Sequence, residues 1–144
     1  MRPSTVAGLL FVPLALLATF AARAQTAAAA HVSTAETAKA YRVDAAKHIY
    51  AAYPEKIYKG KLPPLVHGIV VVEMELDANG QLKSINLVRV PSHAPEVTEA
   101  VKDMIRNAAP MPAPSRLGGA KVTEIWLVDK SGQFQLDSLT EGQQ

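Results

Sequence analysis

The chain has no cysteine. Disulfides, thiolate nucleophiles and cysteine-bound metals are therefore excluded, and the fold must rest on its hydrophobic core. Aromatic residues are scarce, at 6% with a single tryptophan, Trp126. The four histidines, His31, His48, His67 and His93, are scattered, and no pair has the H-x-x-x-H spacing that sets two imidazoles on one helix face. No serine stands in a nucleophile elbow, and Gly118-Gly119 belongs to no phosphate loop. Glu73 and Glu75 could be imagined as an acid–base pair, but a solvated strand face accounts for them better. The residues point away from catalysis, and no cofactor, metal or small-molecule substrate is expected.

Long hydrophobic runs are confined to the start. "MRPSTVAGLLFVPLALLATFAARAQ" has Arg2, an apolar run over 8–20, and the small-x-small site Ala22-Arg23-Ala24. That is the layout of a secretory signal peptide, cleaved after Ala24. The run is shorter than the ~20 residues a spanning helix needs, though an uncleaved inner-membrane anchor over 8–20 stays an alternative. A strong excess of charge is also missing. The formal net charge is +2. Cleavage would remove Arg2 and Arg23 and no acid, so fifteen basic residues would become thirteen against thirteen acids. Such a balance predicts no nucleic-acid partner. A periplasmic protein of about 120 residues is expected, enough for a modest core.

Residues 25–33, "QTAAAAHVS", lack large apolar side chains and read as a disordered lead-in. Ser33 and Glu36 fit a capping box. A helix is predicted from about Thr34 to Ala52, with Ala38, Tyr41, Ala45, Ile49 and Ala52 on one stripe. Tyr53-Pro54 ends it, and "EKIYKGKLPPLVH" follows as an extended loop. "GIVVVEMELDANGQLKSINLVRV" is a hairpin: Val70, Val72, Met74 and Leu76 alternate with Val71, Glu73 and Glu75, and Asn79-Gly80 supplies the turn. A second helix opens near Pro95 and carries the stripe Val97, Ala100, Val101, Met104, Ile105 and Ala108. "PMPAPSRLGG" then places prolines at 110, 112 and 114, where none can donate a hydrogen bond. A strand over Val122–Val128 closes the set, and Phe134–Leu136 could add a short return strand. The predicted fold is α+β, in the order helix-strand-strand-helix-strand, with helices on one face of a three-stranded antiparallel sheet. The domain should run over 34–139, with a flexible tail over 140–144.

In this order the pieces resemble the TonB/TolA C-terminal domain family. The likeness rests on the helix ending at Tyr53-Pro54, the "GIVVVEMELDANGQL" hairpin, "INLVRV" followed by "PS", the helix "EVTEAVKDMIRNAA" leading into "PMPAPSRL", and the strand "KVTEIWLV". "AAPMPAP" is its most specific block. The family's long spacer has no clear counterpart. The 32 residues between Phe20 and Tyr53 reach about 70–80 Å, at ~1.5 Å per helical and ~3.4 Å per extended residue.

The resemblance implies a protein-binding module linked to energy-dependent transport across the outer membrane. It would take an extended peptide of an envelope protein, such as an outer-membrane receptor, beside its last strand by strand addition. By position, the matching edge is Val122, Thr123, Glu124, Ile125, Trp126, Leu127 and Val128. Thr123, Ile125 and Leu127 look like its core-facing set. Trp126 is then either an exposed hot spot or a cover for the sheet. The resemblance gives Pro110, Pro112 and Pro114 the task of carrying the chain back across the sheet; the plainer alternative is that they only stop the helix. A TolA-like envelope-integrity module and a homodimer joined through strand edges are the other open readings.

Overall fold

Alternation of apolar and polar residues makes Gly68–Asp77 a strand, β1, and its burial alternates along its whole length. This computed structural model describes residues 31–144, so the expected signal peptide over 1–24 and residues 25–30 of the lead-in lie outside the described residues. The turn after β1 is set by Asp77, whose carboxylate accepts the N–H groups of Asn79 (2.8 Å) and Gln81 (2.9 Å). Gly80 alone supplies the positive φ, +81°. The return strand, β2, is Leu82–Arg89.

Helix α1 covers Ala38–Ala52, starting later than predicted. Thr37 is the N-cap and accepts from the Ala40 N–H (3.1 Å). Ser33 does not cap it. Its hydroxyl accepts from the Ala35 N–H (3.1 Å) and donates to Asp44 (2.6 Å), tying the incoming chain to the helix flank. Glu36 turns away to pair with Arg116. The helix ends at Tyr53, before Pro54, as the sequence indicates. Helix α2 covers Pro95–Ala108, with the proline in its first turn. Its predicted stripe is buried at Val97, Val101, Met104, Ile105 and Ala108, whereas Ala100 is exposed.

Strand β3 is Gly119–Val128, and β4 is Phe134–Leu136. The sheet therefore has four strands instead of three, all pairs antiparallel, in the order β2-β1-β3-β4. The fourth strand exists because its hairpin turn is well built and its apolar residues have a place to go. Asp129 accepts from both the N–H and the hydroxyl of Ser131, bonds that hold its carboxyl below the usual range. Gly132 takes φ +83°, and Phe134 and Leu136 are fully buried.

Both helices pack on one face of the sheet, where Val70, Val72, Met74, Leu76, Val122, Trp126 and Val128 join Tyr41, Ile49, Val101 and Ile105 in a single core. Three tyrosines clamp it. The Tyr41 hydroxyl donates to the Pro112 carbonyl (2.6 Å), Tyr53 donates to the Met104 carbonyl (2.8 Å), and Tyr50 accepts from the Leu136 N–H (3.0 Å). Burial raises all three phenols above their ordinary range. The folded chain thus keeps them neutral at a pH where the unfolded chain ionises them. Their contribution is fully present below about pH 10, the ordinary phenol value, and is lost as pH rises beyond it. Urea midpoints should match at pH 7 and pH 9 and fall steeply above pH 10. Tyr41→Phe should flatten that fall while lowering neutral stability by about 1 kcal/mol. An alkaline limb unchanged in Tyr41→Phe would rule the phenol out as its source.

The lead-in and tail are not loose where they are described. Ser33 N–H donates to the Ala113 carbonyl (3.0 Å), and Ala113 N–H donates to the His31 carbonyl (2.7 Å). At the other end, Leu62 N–H donates to Gly142 (2.9 Å) and Gln144 N–H donates to Leu62 (3.0 Å). Gln135 explains this second tie. Its buried amide donates to the carbonyls of Tyr58 (2.8 Å) and Gly60 (2.7 Å) and accepts from the Thr140 hydroxyl and the Glu141 N–H. One side chain thus joins the loop after α1 to the tail expected to fray.

Candidate functional site

The register of β1 against β3 decides which residues can meet a partner. Val70 lies opposite Trp126, Val72 opposite Glu124, and Met74 opposite Val122. Directly opposed residues share a face, so Val122, Glu124, Trp126 and Val128 turn into the core with β1's buried set. This inverts the predicted facing. Thr123 is exposed, and Ile125 and Leu127 are half-buried on the open face. Trp126 is no surface hot spot: it is fully buried, with its ring centroid 4.6 Å from that of Phe134.

The inversion carries a carboxylate into the core, which periodicity alone would forbid. Glu124 is 2% exposed. Arg42 from α1 reaches it at 2.8 Å and also touches Asp137 at 3.1 Å. The N–H of Ile125 (2.9 Å), the N–H of Ser138 (3.3 Å) and the Ser138 hydroxyl also bond to the Glu124 carboxylate. Burial alone would lower the Arg42 guanidinium, but these carboxylates more than offset that and raise it. Both Glu124 oxygens are thus engaged, whereas the buried Nε of Arg42 finds no partner among the described residues.

Strand β3 is consequently closed as an edge over Glu124–Val128, while its outer side over Gly119–Thr123 stays unpaired among the described residues. β1 pairs along its whole length, and β4 pairs with Trp126, Leu127 and Val128. Beyond β4, the Ile125 N–H is occupied by the Glu124 side chain, and the 3₁₀ turn Asp137–Leu139 follows. Of the predicted edge, Val122 and Thr123 alone stay clear of these closures.

The edge open over its whole length is β2. It pairs with β1 only, and among the described residues no backbone hydrogen bond reaches its outer side. Among the described residues, three of the five exposed large apolar side chains, Leu87, Val88 and Val90, cluster at its end. Val88 stands at a register shift, since Leu87 faces Val72 while Arg89 faces Val71. On the sheet's open face Glu73 meets Lys121 (3.3 Å) and Glu75 meets Lys83 (3.2 Å). Glu73 and Glu75 thus each hold a cation and do not form a carboxylate dyad. Arg89 has no ion-pair partner among the described residues. Sequence reasoning missed this edge because β2 alternates poorly, although its lack of any acid from Leu82 to Val90 was visible.

The motif residues do come together. Pro110 is exposed, but Pro112 and Pro114 are buried. Met111 and Ala113, the residues between the prolines, keep their N–H groups, and both are used: Met111 donates to Gly80 (2.9 Å) and Ala113 to His31 (2.7 Å). The segment is a strap across the β1–β2 turn, α1 and the incoming chain, so it does more than stop α2. Tyr53 joins α1 to α2 through its hydroxyl, and Pro54 opens a 3₁₀ turn over Pro54–Lys56.

The histidines serve separate contacts. His48 bonds the Ala108 carbonyl (2.8 Å), His67 bonds Glu96 (3.0 Å), and His93 bonds the His67 carbonyl (2.7 Å). Among the described residues no group of three His, Asp or Glu side chains is placed to hold a metal ion, and no helix is long and apolar enough to cross a membrane. The chain matches no protein-family model, no curated protein and no solved structure. The likeness to TonB/TolA C-terminal domains therefore rests on its own motifs.

Proposed function

We propose that this protein is a non-enzymatic binding module of the periplasm that takes an extended segment of another envelope protein by strand addition on β2. The observation that carries this reading is the β2 edge itself. It is eight residues long, hydrogen-bonded on one side, and carries exposed Leu87 and Val88, with exposed Val90 just after it. Unpaired strand edges of this length are usually blunted, and an incoming strand would satisfy the backbone and cover the apolar cluster together. The TonB/TolA resemblance supports an envelope partner, such as an outer-membrane receptor peptide, and a link to transport across the outer membrane. It places the partner on the last strand, whereas here β4 and the Glu124 network occupy that side.

The edge also argues against pairing with itself. Two copies aligned antiparallel about Asn86 would set Lys83 opposite Arg89, and like charges directly opposed are destabilising. Sedimentation at micromolar concentration should therefore show a monomer.

A photo-cross-linking residue at Val88, compared with one at Thr123, tests the site in cell envelopes. Both positions are exposed. Adducts with one envelope protein from position 88 but not 123 are expected, reduced about tenfold by Leu87→Ser/Val90→Ser. Adducts from 123 alone would return the site to β3. Adducts only between copies of this chain would make the edge a dimer contact.

A further inference from the structure

The side chains of β2 restrict what an incoming strand can carry. The register against β1 sorts them onto two faces. Leu87 lies opposite Val72 and Ile85 opposite Met74, so both share the face that the helices cover. Ser84 lies opposite Glu75, Asn86 opposite Glu73 and Arg89 opposite Val71, all on the open face. A strand laid outside β2 would meet the same two rows, one apolar and one polar.

One charge in the open-face row stays unbalanced. No acid occurs from Leu82 to Val90. Glu75 holds Lys83 at 3.2 Å, and Glu73 holds Lys121 at 3.3 Å. The two β1 acids beside β2 are thus matched one for one by lysines. Arg89 is left over, exposed and without an ion-pair partner among the described residues. Asp77, at the far end of β1, lies about 20 Å from Val71 at ~3.3 Å per residue, beyond the ~8 Å screening length at physiological salt. Glu96, the first acid after β2, belongs to α2 on the other face of the sheet and holds His67 at 3.0 Å.

The register shift at Val88 decides where this charge is met. On the inner side, successive residues Val72 and Val71 stand opposite Leu87 and Arg89, with Val88 as the extra residue. A partner strand that follows β2 as β1 does would keep its own alternation: an apolar residue beside Leu87, which is 40% exposed, then its next residue beside Arg89. A guanidinium is always charged and its planar fork matches a carboxylate with two hydrogen bonds. A lysine or arginine at that position would instead oppose a like charge.

We infer that the segment taken by β2 alternates apolar with polar residues and carries a side-chain carboxylate where it passes Arg89. The inference rests on strand addition at β2 and adds the chemistry of the partner. Arg89 fixes the register of the incoming strand and turns basic segments away.

The full chain, labelled for amide chemical shifts, is titrated with three capped nonapeptides. Serine alternates with valine in each, and the central serine is kept or replaced by glutamate or by lysine. Shifts should map to Leu82–Arg89, and the glutamate peptide should bind about fivefold tighter than the lysine peptide or better. Arg89→Glu, an exposed substitution, should reverse that order with the melting temperature unchanged. Added salt should narrow the difference. Binding of all three peptides at β2 with equal affinity, or an order that persists in Arg89→Glu, would overturn the inference and leave strand addition at β2 standing. If no peptide shifts the β2 amides, strand addition there is overturned and the inference goes with it.

Discussion

Gly80→Ala is expected to destabilise the fold by about 3 kcal/mol or more, while Gly132→Ala, in the other hairpin, costs about 1–2 kcal/mol. The two glycines are matched: φ is +81° at one and +83° at the other. Each alanine meets the same left-handed penalty, ~1–2 kcal/mol. The surroundings differ. A Cβ on Gly132 meets open space, but one on Gly80 falls 2.0 Å from the Met111 carbonyl oxygen. No rotamer relieves a backbone contact of that kind, so the strap must lift away. Lifting breaks the Met111-to-Gly80 hydrogen bond and draws Met111, 2% exposed, out of the core. An orphaned N–H adds about 1–3 kcal/mol. Chemical denaturation of both variants measures the difference, and equal losses would show that the proline strap contributes nothing through this turn.

Arg42→Met should cost about 3 kcal/mol, because it leaves the Glu124 carboxylate buried without its cation. The Glu124 side chain is 3% exposed and that of Arg42 31%, so removal of the cation is the more damaging change. Glu124→Gln keeps an acceptor for the Ile125 and Ser138 N–H groups and should cost only about 1–2 kcal/mol. The informative protein is the double variant. With the charge gone, Arg42→Met/Glu124→Gln should be more stable than Arg42→Met alone, although it carries one more substitution. If the two losses simply add, the buried ion pair is not the unit that holds the Asp137–Leu139 turn against β3.

The hairpin, both helices and the Tyr53-Pro54 stop were legible because each is written in local signals: period two, period 3.6 and a proline. What failed depended on distant partners. The facing of β3 followed hydrophobicity in reverse, since Ile125 and Leu127 seemed better core residues than Glu124. Arg42, 82 residues away in sequence, and Ser138, 14 residues on, make the buried carboxylate tolerable. Ser33 and Glu36 matched a capping box locally but were claimed by Asp44 and Arg116. The tail looked too polar to order, yet its anchor is one buried amide, Gln135, with no sequence signature of its own. The partial loss of the β3 edge was half legible: Phe134–Leu136 reads as a possible return strand after the Lys130-Ser131-Gly132 turn, but three residues are too few for periodicity to establish it.

The strap also sets a route for tension. Residues 31–33 are bonded to Ala113, Met111 two residues earlier is bonded to Gly80, and Gly80 ends the turn that leads into β2. A pull between the N-terminal side and a strand held on β2 therefore runs through three hydrogen bonds and a few residues of stiff proline backbone. Tyr41 and Asp44 tie the first helix to the same line through Pro112 and Ser33, so such a load would reach that helix before the far side of the sheet.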